Sequence, residues 1–282
     1  HTLYDIVRKI PDGNEIEFIA NDGKKFSIRS GKSKFSLSCL PKEDFPLINI
    51  DKLNCELSIN SNVFLKLIEK TKFAISNEET RYFLNGIYFH KRNINNKECL
   101  CVVATDGHRL AKIDFNTEEN ISEIPGVIIP RKTIGELCKL LADFSGTVKI
   151  NLDPNKIIFF VDKSILISKL IDGNFPDYQK VIPNNNTNIM SVKRNDLCLA
   201  VDRVSTIANE RSPAIKFKLL KNIMNMTSVD SDNGLATEDI VTEYSGNEME
   251  VGFNSKYILE MINNLDDDKI TLSFNDASSP VI

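Results

Sequence analysis

Two residues with acid–base side chains, Asp106 and His108, flank a glycine in the middle of the chain. A carboxylate and an imidazole at this spacing could act as a general acid–base pair. No serine or cysteine nucleophile motif, phosphate-binding loop or metal-ligand cluster accompanies them, so an enzyme is the less favoured interpretation. The alternative is a tight turn between two strands, in which Gly107 supplies a positive φ. Such a turn is compatible with a binding role for His108.

The cysteines and histidines give no metal-binding pattern. The six cysteines form no Cys-x-x-Cys pair and only three histidines are present, so neither a zinc site nor another cofactor is expected. Cys99 and Cys101 share one face of a predicted strand but sit too far apart to bridge easily. We therefore expect free, buried or half-buried thiols in a reducing cytoplasm. The six are Cys39, Cys55, Cys99, Cys101, Cys138 and Cys198.

Composition restricts the class of protein. The 282 residues, 41% hydrophobic and 26% charged, are typical of a globular protein with two or three domains. No apolar run approaches the ~20 residues that span a bilayer, and no secretory signal opens the sequence, so we expect a cytoplasmic protein with no membrane partner. The net charge of −4 argues against strong non-specific adhesion to nucleic acid, but it permits a locally basic surface.

An apolar pattern at i, i+3, i+4 and i+7 occurs three times and predicts a helix each time. A polar break and alternating strand patterns follow each copy. Weaker helical stripes lie between the copies, at 64–68 and 197–204. The copies recur about 120 to 130 residues apart, too far for a solenoid, which indicates duplication of whole domains. The three stripes are Leu3, Ile6, Val7 and Ile10; Ile134, Leu137, Cys138 and Leu141; and Ile258, Met261, Ile262 and Leu265.

The first and third copies look incomplete. An extended stretch precedes the helix in the second and third copies, at 126–129 and 249–253, but not in the first. The third copy stops before its final strands. The pattern predicts part of one domain, one complete domain and most of a third.

Basic residues lie off the apolar stripe on most of these helices. For any one helix the plain alternative is a solvated face. Because the bias recurs, helices that shared one surface would make it positive while the rest of the protein stays acidic. The residues are Arg8, Lys9, Lys66, Lys70, Lys72, Arg131, Lys132, Lys139, Lys193, Arg194 and Arg203, with fewer on the last helix, which has Lys256.

The segment 102–111, VVATDGHRLA, resembles the most specific signature of the bacterial sliding clamps, the beta subunits of DNA polymerase III. Four further stretches resemble that family in the same order, at 29–37, 81–86, 172–178 and 244–250. Because several motifs occur in order on top of an internal duplication, the chain is similar to the family throughout.

The resemblance implies an α+β DNA clamp fold, with repeated domains of two helices packed on antiparallel sheets. Two subunits would close head to tail into a homodimeric ring, with helices lining the hole. Residues 1–46 would be the back half of the first domain, 47–187 the central domain and 188–282 an incomplete third. A ring holds double-stranded DNA by topology, so a modest positive lining suffices. The implied function is that of a non-catalytic processivity factor.

The resemblance also implies a pocket that binds a short peptide motif. The partners would be the DNA polymerase III alpha subunit, the clamp loader delta subunit, and other polymerases and repair proteins that carry a clamp-binding motif. The family often has Arg where Lys180 stands, and Lys keeps the charge but loses the planar fork. The matching positions are Leu84, Thr105, Gly107, His108, Arg109, Leu110, Pro176, Lys180, Val181, Ala277 and Ser279.

Arg81 and Tyr82 match a family loop that touches DNA, through phosphate contact and aromatic stacking. A solvated loop is the alternative. With the helix residues, the expected DNA contacts are Arg81, Tyr82, Arg8, Lys9, Lys132, Lys193 and Arg194. A protein-interaction scaffold that never encircles DNA is the remaining competing interpretation.

Overall fold

A computed structural model describes residues 1–21, 24–45, 55–116 and 124–282 of the chain. These residues divide into two compact units, His1–Asp51 and Lys52–Ile282. The expected boundary between residues 46 and 47 lies outside the described residues.

The first unit is a helix followed by a three-stranded antiparallel sheet in the order β1-β2-β3. The helix ends at Arg8, with Lys9 as its C-cap, so Ile10 of the predicted stripe lies beyond it. The first strand begins at Glu17, after the polar break that follows the helix. The elements are α1 (Thr2–Arg8), β1 (Glu17–Asn21), β2 (Lys25–Ser30) and β3 (Ser33–Ser38).

The second unit begins with residues 55–182, here called the central lobe. Two four-stranded antiparallel sheets, ordered β11-β10-β9-β4 and β7-β6-β5-β8, enclose its core. Phe64 of the first helix meets Phe89 from one sheet and Phe159 from the other, at ring separations of 6.1 and 6.0 Å. The elements are β4 (Cys55–Asn60), α2 (Ser61–Lys72), β5 (Gly86–Ile94), β6 (Lys97–Thr105), β7 (Leu110–Asn116), β8 (Val127–Pro130), α3 (Arg131–Ala142), β9 (Thr147–Leu152), β10 (Lys156–Val161) and β11 (Ser164–Lys169).

Residues 188–282, here called the C-terminal lobe, repeat this plan around a second core. The antiparallel sheets are ordered β16-β12-β18 and β15-β14-β13-β17. The elements are β12 (Asn188–Lys193), α4 (Arg194–Ser205), β13 (Ala214–Leu220), β14 (Ile223–Asp230), β15 (Gly234–Val241), β16 (Glu243–Tyr244), β17 (Met249–Asn254), α5 (Ser255–Asn263) and β18 (Lys269–Phe274).

All five predicted helices are confirmed, and their apolar stripes explain how they pack. The stripe residues of α2, α3 and α4 are buried in the two cores, except half-buried Cys138, since one face of each helix lies on the sheets. In the last copy Leu265 lies two residues past the end of α5 and is 44% exposed. Within each lobe the two helices pack side by side, α2 on α3 and α4 on α5.

Ion pairs join the helices of the two lobes. Lys70 Nζ of α2 donates to the Asn264 carbonyl oxygen just after α5, at 2.7 Å, and also to Asp266. Lys66 Nζ lies 3.1 Å from the same carboxylate. The helices therefore follow one another as α3, α2, α5 and α4. Because Lys66 and Lys70 are paired with Asp266, the positive surface is smaller than the sequence suggests.

The six cysteines are free, as expected, and Cys55, Cys99 and Cys101 are buried. Cys39 is the exception to the expected burial: it is exposed, because it follows the last residue of β3 at the surface of the small first unit.

Candidate functional site

The turn that joins β6 to β7 is held by its own side chains. Asp106 Oδ1 accepts hydrogen bonds from the backbone N–H groups of His108 (2.9 Å) and Arg109 (3.0 Å). Thr105 Oγ1 accepts from the Gly107 N–H at 3.1 Å and donates to the Arg109 carbonyl at 2.7 Å. Gly107 has φ +89°, so the predicted glycine turn is confirmed.

This turn does not form an acid–base pair. Asp106 Oδ2 accepts from Arg109 Nε at 3.2 Å, so both carboxylate oxygens are engaged within the turn. The His108 ring instead stacks on Tyr257 of α5, with ring centroids 6.2 Å apart. The geometry provides a fixed, partly exposed turn that can bind a ligand.

Arg109 ties the central lobe to the C-terminal lobe. Its side chain is only 10% exposed and donates to Glu260 of α5 and, at 2.9 Å, to the Phe73 carbonyl at the end of α2. The guanidinium carbon lies 4.4 Å from the centre of the Tyr257 ring, within cation–π range. An Arg expected only as a peptide contact is therefore also a link between lobes.

The segment 170–182 lies against the outer face of β5, β6 and β7, beside the end of the Thr105–Leu110 turn. Phe175, Tyr178 and Ile182 pack inward in one cluster with Leu110, the first residue of β7. The residues between these anchors point outward and are exposed, namely Pro176, Lys180 and Val181. The Thr105–Leu110 turn and this segment are thus neighbours.

Three expected pocket residues have other environments. Leu84 is 3% exposed, so it can form only the floor of a groove. Ala277 is exposed and Ser279 half-buried, in a loop held by Asp276, which accepts the Ser279 hydroxyl and the backbone N–H groups of Ser278 and Ser279. These hydrogen bonds lower the pKa of Asp276 to about 2. Asn186 donates to the Pro280 carbonyl at 3.0 Å, which attaches this loop to the chain just beyond the segment.

The expected DNA-contacting loop lies directly against the turn. Arg81 makes a two-point ion pair with Glu78, at 2.8 and 2.5 Å, which lowers the pKa of the Glu78 carboxyl. A Cβ atom on Gly107 would collide with Arg81 Nη1, so the guanidinium occupies the space beside the glycine. Tyr82 is 54% exposed and can reach a ligand.

The helix residues expected to contact DNA differ in accessibility. Arg194 is half-buried at the start of α4, and its backbone N–H donates to the Asp268 carbonyl at 2.8 Å. The Arg8 guanidinium lies 5.8 Å from the centre of the Tyr4 ring. The exposed residues are Arg8, Lys9, Lys132 and Lys193.

Comparison with known proteins identifies the family. Residues 1–49, 58–177 and 179–282 match the N-terminal, central and C-terminal domains of the DNA polymerase III beta subunit. The beta sliding clamp of Caulobacter vibrioides (strain NA1000 / CB15N) is 40% identical over 283 residues, which cover 100% of this chain and 76% of that protein. The chain belongs to the beta sliding clamp family.

Other members of the family agree. The beta sliding clamp of Escherichia coli (strain K12) is 34% identical over 279 residues, covering 99% of this chain and 75% of that clamp. A crystal structure of the Bartonella birtlesii clamp bound to griselimycin is 43% identical, with a TM-score of 0.90 over 99% of this chain and 75% of that one. Like its relatives, the chain is a non-catalytic DNA sliding clamp that serves DNA replication as a processivity factor and forms a homodimeric ring. The enzyme and scaffold interpretations are therefore set aside.

Within the described residues, no helix is long and apolar enough to cross a membrane. Within the same ranges, no group of three or more His, Cys, Asp or Glu side chains is arranged to hold a metal ion.

Sequence reasoning missed the partners of the turn. Tyr257 and Glu260 follow the start of α5, some 150 residues after Arg109, and nothing in their local pattern indicates that they meet it. Both residues lie just off the apolar stripe of α5. This position indicates a contact with Arg109 only once the lobes are known to pack together.

Proposed function

We propose that this clamp binds the DNA polymerase III alpha subunit, the clamp loader delta subunit, and other polymerases and repair proteins through one peptide pocket. Its walls would be the Thr105–Leu110 turn and the 176–181 segment. The observation that carries the proposal is that Leu110, at the end of the turn, packs against the same hydrophobic cluster as Tyr178 of the segment. Exposed Val181 and Pro176 offer apolar surface, and His108 and Thr105 offer polar groups, a combination suited to peptide capture.

Ligands seen on related clamps support a small-molecule or peptide site on this fold. The Bartonella birtlesii clamp holds griselimycin. A Caulobacter crescentus clamp structure, 40% identical with a TM-score of 0.91 over 100% of this chain and 75% of that one, has polyethylene glycol at a region proposed to tether beta-motifs. We infer that the same kind of surface serves here.

We also propose that the domains end where the resemblance places them, at residues 46 and 187. The second of these boundaries falls between the two hydrophobic cores of the second unit. DNA would contact Arg81 and Tyr82 and the exposed lysines and arginines of the helices, since phosphate recognition needs only accessible positive charge. The clamp would work in the cytoplasm, where the bacterial DNA is.

The homodimer contact is proposed to use sheet edges. β15 is the outer strand of its sheet, with Leu235 64% exposed and Asp239 exposed, and an unpaired strand edge can extend into another chain. β3 is an outer strand of the sheet in the first unit and carries exposed Lys34, and exposed Lys32 lies in the turn just before it. Acidic and basic edges favour head-to-tail pairing between two copies.

The pocket is tested by binding of a fluorescent peptide of the Gln-Leu-x-Leu-Phe type. Leu84→Ala would open a cavity and Arg109→Ala would cut the link between lobes, so neither isolates the pocket. Val181→Asp is cleaner, because the side chain is 61% exposed. We expect this variant to weaken binding about tenfold or more, since a carboxylate replaces an apolar contact.

The matched control is Ile165→Asp on β11, an apolar side chain that is 49% exposed and lies outside the proposed pocket. It should bind as the unmodified protein does. If both variants bound the peptide with the same affinity as the unmodified clamp, the pocket would not lie at Val181.

A further inference from the structure

The outer face of the sheet β7-β6-β5-β8 carries a row of polar residues. Strand register pairs His90 with Cys101 and Cys101 with Asp114, so the three lie in one row across β5, β6 and β7, on the face opposite the central core. Such a face of an antiparallel sheet is usually solvated. Here His90 is 8% exposed and Cys101 is 0% exposed, because the segment 170–182 covers them.

Aromatic rings fix this segment to the sheet. Phe175 stacks on Tyr88 with centroids 4.8 Å apart and planes 5° apart. Tyr88 in turn stacks on His90 at 4.5 Å. The three rings form a column in which the imidazole is the inner member and the segment supplies the outer one.

The hydrogen bonds around this column depend on whether the His90 imidazole is neutral or protonated. His90 Nδ1 lies 3.0 Å from the Lys91 carbonyl oxygen, so in the neutral ring the proton is on Nδ1. Nε2 is then free to accept from the Tyr178 hydroxyl at 3.2 Å. The Tyr178 oxygen lies 3.5 Å from both Arg92 Nη1 and Cys101 Sγ, which can donate to it. The Tyr178 hydroxyl is thus fully satisfied when His90 is neutral.

We propose that neutral His90 is a positioning residue for peptide binding: by accepting the Tyr178 hydroxyl it fixes segment 175–182, and its protonation loosens the segment and weakens the peptide complex. The inference rests on the proposed function, because the exposed side of this segment is one wall of the proposed pocket. The anchors Phe175 and Tyr178 pack against the sheet, whereas Pro176, Lys180 and Val181 of the same segment are exposed.

The surroundings disfavour a charged imidazole. A proton on Nε2 would point at the Tyr178 oxygen, so the hydroxyl could no longer donate to His90 and its hydrogen would need another acceptor. Positive Arg92 and Lys112 oppose the added charge, while Asp114 favours it. The Lys91 ammonium pairs with Glu98 at 2.5 Å. The groups that face His90 are the Lys91 carbonyl, Tyr88 and Arg92 from its own strand, Cys101 from β6, Lys112 and Asp114 from β7, and Tyr178 from the segment.

Burial, with these charges, lowers the pKa of His90 below its ordinary value. The loosened segment would expose the ring and restore a pKa near 6.5, so the loose form binds protons more readily than the anchored form. The segment is therefore fully anchored to the sheet above about pH 6.5. The anchoring is lost as the pH falls from there towards the lowered pKa of His90. Burial raises the pKa of Tyr178, and raises that of Cys101 to about 12, so both keep their protons throughout.

The test compares peptide affinity at about pH 7.5 and pH 5.5 for the unmodified clamp, His90→Gln and His90→Phe. We expect the unmodified clamp to bind about fivefold more weakly at the lower pH. The His90→Gln side chain keeps an oxygen that can accept from Tyr178, and it does not titrate. The peptide affinity of this variant should therefore equal that of the unmodified clamp at pH 7.5 and fall by less than about twofold at pH 5.5. His90→Phe keeps the stack but not the acceptor, so it should bind more weakly at both pH values.

His108 belongs to the proposed pocket and is present in every variant, so any pH effect of its own cancels in the comparison. Tyr178→Phe provides a second variant that keeps the ring. It should weaken binding at high pH and reduce the pH dependence. Amide hydrogen exchange of residues 175–182, compared between the unmodified clamp and His90→Gln at the same low pH, should be faster in the unmodified clamp.

The outcomes separate this inference from the pocket itself. If the unmodified clamp and His90→Gln lose affinity equally on acidification, the positioning role is wrong although the pocket stands. Equal exchange rates in the two proteins would have the same meaning. If the unmodified clamp binds no peptide at either pH, the pocket is wrong and the positioning role falls with it.

Discussion

Arg109 shows how one side chain can serve a site and the architecture together. Its guanidinium presents donors in a fixed plane, which lets it bond Asp106, Glu260 and the Phe73 carbonyl while stacking on Tyr257. A lysine could hold one of these partners but not the set. A peptide that contacts Arg109 would therefore contact a residue that also joins two lobes.

At the same scale, Gly107→Ala should destabilise the clamp. Its φ of +89° is unfavourable for residues with a Cβ, and the new methyl group would displace the Arg81 guanidinium. The expected loss is about 1–2 kcal/mol in the free energy of unfolding. Chemical denaturation followed by circular dichroism measures it.

Gly135→Ala is the matched control. Gly135 lies inside α3, and a methyl group there meets open space. Alanine is the better helix former, so this variant should gain about 0.5–1 kcal/mol. If both substitutions changed the free energy of unfolding in the same direction, the conformational argument for Gly107 would be wrong.

Among the elements, the helices of the duplicated units begin differently. Asn60 and Asn254 occupy equivalent positions before α2 and α5, and each side-chain oxygen accepts from the first-turn N–H groups. α3 and α4 follow Pro130 and Lys193, which make no side-chain cap. In each lobe, therefore, a local side-chain cap fixes the start of only one helix. The start of the other helix depends more on packing.

Asn60→Ala should consequently cost about 1 kcal/mol in the free energy of unfolding, the usual effect of removing an N-cap. The measurement is the denaturant midpoint at unchanged slope. Asn62→Ala is a suitable control, because Asn62 is exposed and contributes only its backbone N–H to the cap. An equal loss in both variants would show that the Asn60 side chain is not the stabilising cap.

For the whole molecule, charge distribution matters more than the net charge of −4. Many expected DNA-facing cations are paired within the protein, as Lys66 and Lys70 are with Asp266 and Arg203 is with Glu238. Exposed Lys132 and Lys193 stand at or beside the first residues of helices. Weak, local attraction is what a ring that slides on DNA requires, since strong contacts would hold it in place.

Replacing Lys132 and Lys193 together by Ala should weaken binding to duplex DNA. The slope of log affinity against log salt should become shallower by about 0.9 for each phosphate that the protein no longer neutralises. Lys163→Ala, which replaces an exposed lysine in the turn after β10, removes one positive charge elsewhere and should leave the slope unchanged. The proposal for these helix residues fails if the double variant keeps the original slope.

Much of the fold could be predicted because it depends on local periodicity. Apolar stripes indicated the five helices, and the alternating pattern that follows them indicated strands such as β9, β10 and β18. The glycine turn at residue 107 also followed from local chemistry. Helix ends were less well predicted: Ile10 and Leu265 fit the stripe but lie past the last turn, because capping rather than hydrophobicity ends a helix.

The duplicated helix-and-strand plan, the turn at Asp106–His108 and the family resemblance could be predicted from the sequence, because these features reside in neighbouring residues. The contacts of Arg109 with Tyr257 and Glu260, and of His90 with Tyr178, became evident only from the packed fold. These partners are 88 to 151 residues apart in the chain. Strand alternation shows that a side chain leaves the core, but not which distant segment covers it.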